Sequence, residues 1–350
     1  MAVRLKDIAR DLGVSVVTVS KVLRNHQDIS AETRDRVLKK IKELNYQPNP
    51  AARALVTGKS HLVGLIVPDL VHPFFAQVAK GVSRALRNKG YGLVIASSEE
   101  DPDLERREIQ QMLARRLDVL IIASAQWTVE SFRGIEAHQR PYVLIDRKFV
   151  GLSAHFVGTD DIAVGIIATK HLIDNGCKRI AYIGGEHVST TADRLDGYRR
   201  ALGAAGFPAP AEYVICRPHV DDSGDVTGYE AMKELLRLDP CPDGVFCHND
   251  PVAMGAMKAI LELGLRIPDD LAIIGCGNVR YAPTLRVSLT SVDQESESMG
   301  ERAAKLALSL VHAKGTVRPQ QVLIQPKLIP RDSTLRRTSD PATLPSGAQP

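Results

Sequence analysis

The 350-residue sequence predicts a mixed α/β protein, with a small all-helical N-terminal unit ahead of a large core of parallel sheets in two lobes. Three observations carry that expectation. Up to Leu44, apolar residues recur with the 3.6-residue period of amphipathic helices. Beyond Ser60 they gather into short, continuous, branched-rich runs separated by helical stretches, the pattern of strands buried on both faces in βαβ units. Charge divides at the same place: through Ser60 twelve Lys and Arg face six Asp and Glu, whereas the remainder carries 33 against 35.

The first stretch, Leu5 to Leu23, reads LKDIARDLGVSVVTVSKVL. Leu5, Ile8, Ala9 and Leu12, then Val16, Val19, Val22 and Leu23, define two short amphipathic helices, and Gly13 breaks them apart. Ser15 stands where a side-chain oxygen caps the second helix, which completes a helix-turn-helix signature. In such a motif the second helix, here Val16 to Leu23, lies in the DNA major groove. Two core helices with no ligand would show the same spacing, so further features must separate the readings. Ser30 can cap a third helix with Val37, Leu38, Ile41 and Leu44 on its apolar positions. The basic balance of this unit, set on a slightly acidic body, is the footprint of a phosphate-binding module.

Asn45 to Ser60, NYQPNPAARALVTGKS, has prolines that stop the third helix, yet Pro50 to Leu55 is helix-forming and Gly58 can end a short helix there. So short a helix is marginal alone, and a plain linker is the alternative. Strands are then expected at Leu62–Val67, Leu93–Ala96, Val119–Ala123, Tyr142–Ile145, Ile180–Ile183, Val245–Cys247 and Leu271–Ile274. Helices are expected at Phe75–Asn88, Leu104–Arg115, Ile162–Asn175, Arg194–Ala205, Thr227–Leu238 and Val252–Leu263. The division that follows is a headpiece over 1–48, a hinge helix and linker over 49–60, a two-lobed core over 61–335 and a disordered Pro- and Ser-rich tail over 336–350. The cleft between two such lobes is the default ligand site.

Composition narrows the function classes. No apolar run approaches the roughly 18 residues that span a bilayer, and the N-terminus has no apolar signal region, so a cytoplasmic protein without membrane contact is expected. Five cysteines, scattered and without CxxC or His-Cys clustering, suggest reduced thiols and no metal site. The chain lacks GxGxxG after a strand, GxxxxGK[ST], HExxH and GxSxG, so no enzyme and no cofactor are expected. His248, beside Asn249 and Asp250, reads as a pocket or helix-cap group; Gly184-Gly185 is a weak phosphate signal. A secreted solute-binding protein would share the core but has no use for a basic headpiece.

Taken together, the sequence resembles the LacI/GalR family of transcriptional repressors over about residues 3 to 333. The motifs that carry the resemblance are LKDIARDLGVSVVTVSKVL, ISAETRDRV, YQPNPAARAL, VGLIVPDLVHPFF and FCHNDPVAMGAMKAILELGLRIPDDLAIIG. It implies a periplasmic-binding-protein-like core that senses a small metabolite, and a homodimer on pseudo-palindromic double-stranded operator DNA. Ser15, Val16, Val17, Thr18 and Lys21 would form the major-groove face. The two valines would meet thymine methyl groups, with core packing as their alternative, while Thr18 and Lys21 would meet phosphate or base acceptors. In the hinge, Leu55 would wedge between base pairs in the minor groove and Arg53 would meet backbone phosphate. Whether binding represses or activates depends on operator position, which leaves both open, with repression favoured.

In the core the resemblance implies an effector cleft lined by Asp69, Phe74, Phe75, Asp146, Asp160, Arg194, Asn249 and Gln294. Aromatic faces and carboxylate, amide and guanidinium groups suit a sugar-like ligand. Core packing for Phe74 and Phe75, and helix capping for Asp160, are the alternatives. Trp127, at a strand's C-terminal end, is a weaker candidate. Relatives often carry an aspartate in a GYD segment where this chain reads Gly275-Cys276-Gly277-Asn278. With Arg147, Arg194 and Arg280 nearby and that acid replaced by Gly277, a sugar acid or phosphorylated sugar gains over a neutral hexose.

Overall fold

The structure, a computed structural model, describes residues 3–23, 26–46, 54, 58–126, 129–149, 151–218, 220–221, 223–315 and 317–336. The chain forms two compact units, Met1–Ser60 and His61–Pro350.

In the first unit, α1 (Leu5–Leu12), α2 (Val16–Leu23) and α3 (Ala31–Glu43) enclose a small core of Ile8, Ala9, Val19, Val22 and Val37. Local chemistry fixes their ends. Gly13 takes the left-handed conformation, φ 65°, that closes α1, where a side chain would be strained. Ser15 Oγ accepts from Thr18 N at 3.0 Å and Ser30 Oγ from Thr33 N at 3.3 Å, capping α2 and α3. Leu38, expected on the apolar face of α3, is instead exposed, because Val37 and the partly buried Ile41 take the inward positions.

The second unit holds two six-stranded sheets. The first is built from β1 (Leu62–Val67), β2 (Gly92–Ser97), β3 (Val119–Ile122), β4 (Tyr142–Ile145), β5 (His155–Thr159) and β11 (Gln321–Ile324), in the order β11-β5-β4-β3-β1-β2. The second comprises β6 (Ile180–Gly185), β7 (Val214–Arg217), β8 (Gly244–Cys247), β9 (Ala272–Cys276), β10 (Thr290–Asp293) and β12 (Lys327–Ile329), in the order β12-β10-β9-β8-β6-β7. Every pairing is parallel except β10 with β12. In each sheet the order reverses beside the first strand, between β1 and β3 and between β6 and β8. Such a switch point opens a crevice at the carboxyl ends of the strands. The chain passes between the lobes three times, after β5, after β10 and after β11.

Helices α4 (Pro73–Arg87), α5 (Pro102–Ala114), α6 (Glu130–Ala137) and α11 (Ser296–His312) cover the first sheet; α7 (Asp161–Asp174), α8 (Ser189–Ala204), α9 (Gly224–Leu235) and α10 (Asp250–Glu262) cover the second. Neighbouring helices cross at paired glycines. A Cβ on Gly81 would land on the Glu297 carbonyl oxygen of α11, and one on Gly300 on the Val78 carbonyl oxygen of α4. Gly165 with Gly197, and Gly228 with Gly255, repeat the arrangement between α7 and α8 and between α9 and α10.

The seven strands and six helices expected in the core are all present. The helix expected from Arg194 begins earlier, at Ser189, and places Arg194 in its interior. Strands β5, β7, β10, β11 and β12 and helices α6 and α11 add to that set.

Candidate ligand cavity and nucleic-acid interface

The crevices of the two lobes face each other across one cavity. After β1, His72 caps α4 by accepting from Phe74 N at 3.3 Å, and Phe74 and Phe75 pack edge to face at 5.0 Å. Strand β4 runs directly into Asp146, whose backbone sits at φ 62°, a left-handed conformation that few non-glycine residues adopt. From the second lobe come Thr190 and Arg194 on α8, Asp221 after β7, His248 and Asn249 after β8, Cys276 and Gly277 at the end of β9, Val279, and Gln294 after β10. The cavity has a volume of about 20 Å³, room for about one water. A wider pocket of about 760 Å³ opens beside it between Arg147, Ser124 and Gln126 on one side and Gly185, Ser189 and Thr191 on the other.

Buried charge organises the cavity. Arg194 Nε donates to Asp161 Oδ1 at 2.8 Å and its Nη1 to the His248 carbonyl at 2.6 Å. Arg147 Nη2 donates to Glu100 Oε1 at 2.8 Å and to Asp221 Oδ2 at 2.5 Å, so a first-lobe arginine grips a second-lobe carboxylate. Asn249 Nδ2 donates to Asp221 Oδ1 at 2.9 Å and lies 3.3 Å from His72 Nε2 in the other lobe. Burial, the largest single influence on Asp221, opposes its ionisation, yet the surrounding groups, Arg147 first among them, together outweigh it and hold the carboxyl below its ordinary range. Burial pushes Asp146 up to about 7, with Asp161 and Asp221 adding to it against the pull of Arg194 and Arg147. Asp161 is raised by burial to about 6 despite Arg194. Burial likewise lowers His72 and His248, keeping both rings neutral at pH 7.

Of the eight core residues singled out in the sequence, the structure brings six to this cavity: Phe74, Phe75, Asp146, Arg194, Asn249 and Gln294. Two lie elsewhere. Asp69 turns into its own loop, accepting from Val71 N at 2.9 Å, and Asp160 caps α7, accepting from Ala163 N at 3.0 Å. The helix-cap alternative for Asp160 is therefore the one observed. His72, Thr190 and Asp221 line the cavity without having been singled out. His72 sits in the same VHPFF stretch as the two phenylalanines, whereas nothing near Asp221 marks it. His248 faces the cavity while Asn249 caps α10, accepting from Val252 N at 2.9 Å.

An anionic ligand is disfavoured here: both buried arginines already hold carboxylates, only Arg147 Nε is left without a partner among the described residues, and Arg280 is exposed outside the cavity. Gly277 holds φ 123°, where a side chain would be strained, although a Cβ there would find space, with Asp250 Oδ2 at 3.8 Å. An aspartate at this position would therefore face a buried carboxylate. Trp127 lies outside the described residues.

In the headpiece, Val16 and Val17 are 45% and 61% exposed while Val19 and Val22 fill the core, so the core-packing alternative fails for the first pair. Ser15 and Thr18 lie on the same side of α2 and are hydrogen-bonded to each other at 2.9 Å. Lys21 forms an ion pair with Asp28. The result is a small apolar patch edged by hydroxyls and one cation. Arg53 and Leu55 lie outside the described residues.

Comparison with known proteins matches both units. The model of "Bacterial regulatory proteins, lacI family" covers residues 4–49, and that of a "Periplasmic binding protein-like domain" covers residues 169–334. The chain is 32% identical over 331 residues to the HTH-type transcriptional repressor PurR of Mannheimia succiniciproducens, spanning 94% of this chain and 98% of that one. The chain belongs to the LacI family. A structure described as a transcriptional regulator CelR–cellobiose complex matches at TM-score 0.72 and 30% identity, over 95% of this chain and 99% of that one. The Lac repressor bound to ONPG shares the fold at TM-score 0.84 and 23% identity, over 95% of this chain and all of that one. As a LacI-family protein the chain is a DNA-binding transcriptional regulator with a helix-turn-helix headpiece and a periplasmic-binding-protein-like core. Among the described residues, no helix is long and apolar enough to cross a membrane.

Proposed function

We propose that the protein is a homodimeric cytoplasmic repressor whose grip on operator DNA is set by a small sugar-like metabolite held between the core lobes. The observation that carries this reading is the cavity itself: polar groups from both lobes converge on it, so a ligand bound there contacts both lobes at once. Such a ligand changes the balance between lobe arrangements by its differential affinity for them, and operator affinity follows through linkage. The cellobiose complex of the CelR regulator supports a sugar-like occupant, and the PurR name of the relative supports repression. With room for about one water, the cavity must widen to admit a sugar.

At the DNA, Val16 and Val17 would meet thymine methyls and Thr18 and Ser15 phosphate or base acceptors, while Lys21 must trade Asp28 for phosphate. Arg53 and Leu55 would add hinge contacts in the minor groove. The test is fluorescence anisotropy of the full chain on labelled DNA from upstream of its own gene, with a panel of mono- and disaccharides. Saturable, sequence-specific binding that shifts with one sugar is expected. Binding that no panel member alters would sink the regulated part of the reading.

A further inference from the structure

Resting on the reading of the inter-lobe cavity as a metabolite site, we infer that its ligand carries a positively charged amine, as in an amino sugar, and that this amine docks against Asp146. The inference comes from what the cavity leaves unsatisfied. Asp146 lines it, is 6% exposed, and accepts no side-chain or backbone hydrogen bond among the described residues. Gln294, 3% exposed on the opposite lobe, has a buried Nε2 with no partner. Buried polar groups are paired with few exceptions, so two unpaired ones facing a single cavity mark positions that a ligand completes.

Charge then fixes the ligand's sign. Around the cavity, the carboxyls of Glu100, Asp146, Asp161 and Asp221 outnumber the buried guanidiniums of Arg147 and Arg194, and each arginine is already hydrogen-bonded to a carboxylate other than Asp146. Asp250, buried behind Gly277, adds a further acid, held by Ser291 Oγ at 2.7 Å and Val279 N at 2.8 Å. His72 and His248 supply no balancing charge while their rings stay neutral. A phosphate or carboxylate entering here would meet more carboxylates than guanidiniums, and of the two arginines only Arg147 Nε is without a hydrogen-bond partner among the described residues, on a side chain that already holds Glu100 and Asp221. An ammonium group would restore the balance and give Asp146 a charge-assisted hydrogen bond. Ring hydroxyls would serve Gln294 whichever way its amide is turned.

The experiment is calorimetric titration of the full-length protein with matched sets: D-glucosamine, D-galactosamine and D-mannosamine, their neutral hexoses, and the corresponding uronic acids and 6-phosphates. At least one amine is expected to bind ten-fold or more tightly than its neutral counterpart, with no binding by the anions. Asp146→Asn, checked for folding by its melting temperature, is expected to bring the amine-to-neutral ratio close to one. An anion or neutral hexose that binds more tightly than its amine overturns the charge assignment while leaving the sugar-like reading intact. An amine preference that survives Asp146→Asn overturns the docking position. Absence of binding across every set overturns the sugar-like reading, and the assignment with it.

Discussion

Arg147 Nη2 lies 2.5 Å from Asp221 Oδ2, a buried ion pair between residues 74 positions apart that ties the first lobe to the second. Both side chains are more than nine-tenths buried, and Arg147 also holds Glu100. Removing one partner strands the other charge in the interior. Arg147→Met and Asp221→Leu are each expected to cost about 3–5 kcal/mol of core stability, and the double variant less than the sum. Urea denaturation of the four proteins of the cycle checks this; additive losses would show that the two groups act independently.

Asp146 gives a pH prediction with a definite sign. Its folded pKa, about 7, lies above the unfolded value of 3.8, so the folded state holds the extra proton between those limits. Stability from this group is present below pH 3.8 and lost as pH rises through 7. Asp146→Asn should remove that loss and stabilise the unliganded core by about 1–3 kcal/mol at pH 8, with little effect near pH 4. Melting curves of both proteins across this range would decide; a constant difference at every pH would contradict it.

Two valines on one helix should separate recognition from folding. Val17→Ala removes an exposed side chain and is expected to leave headpiece stability within about 0.5 kcal/mol while costing about 1 kcal/mol or more at the operator. Val19→Ala opens the small core and should cost about 1–3 kcal/mol of stability. Thermal melting and anisotropy together read both; equal operator affinity for Val17→Ala and the parent would remove Val17 from the interface.

Salt should weaken operator binding steeply. A dimer making about six to ten phosphate contacts loses roughly three to five decades of affinity between 50 and 200 mM salt. A nearly flat plot of log affinity against log salt would be incompatible with the basic headpiece as the DNA-binding unit.

The headpiece was legible because its instructions are local. Gly13, Ser15 and Ser30 act on backbone groups within a few residues, and the apolar spacing names the inward face. Strands β1, β3, β4, β6, β8 and β9 were legible for the related reason that strands buried on both faces read as unbroken apolar runs, whereas the interior strands β5 and β10 carry Gly158 and Thr159, and Thr290, Ser291 and Asp293, that break the run. Edge strands β7, β11 and β12 carry half-exposed or polar residues and give no such run. Of the cavity residues, Phe74, Phe75 and Asn249 lie in recognisable motifs, while Asp146, Arg194 and Gln294 were legible only through the family resemblance. Asp160 and Asp161 are adjacent, yet one caps α7 and the other grips Arg194, a choice made by where α8 packs. Asp221 has no local signature at all, since its partners Arg147, His72 and Asn249 come from three distant segments.

The three passages of the chain between the lobes have a consequence for how the core can be dissected. The first lobe is assembled from the segment before α7 plus α11 and β11, and the second from the segment between them plus β12. No single cut therefore releases either lobe as a continuous fragment, and a truncation that ends before Ser296 strips the first sheet of both a covering helix and its edge strand. A nick in any one strap leaves two others bridging the halves, so proteolysis there should yield a clipped molecule that stays in one piece until it is denatured.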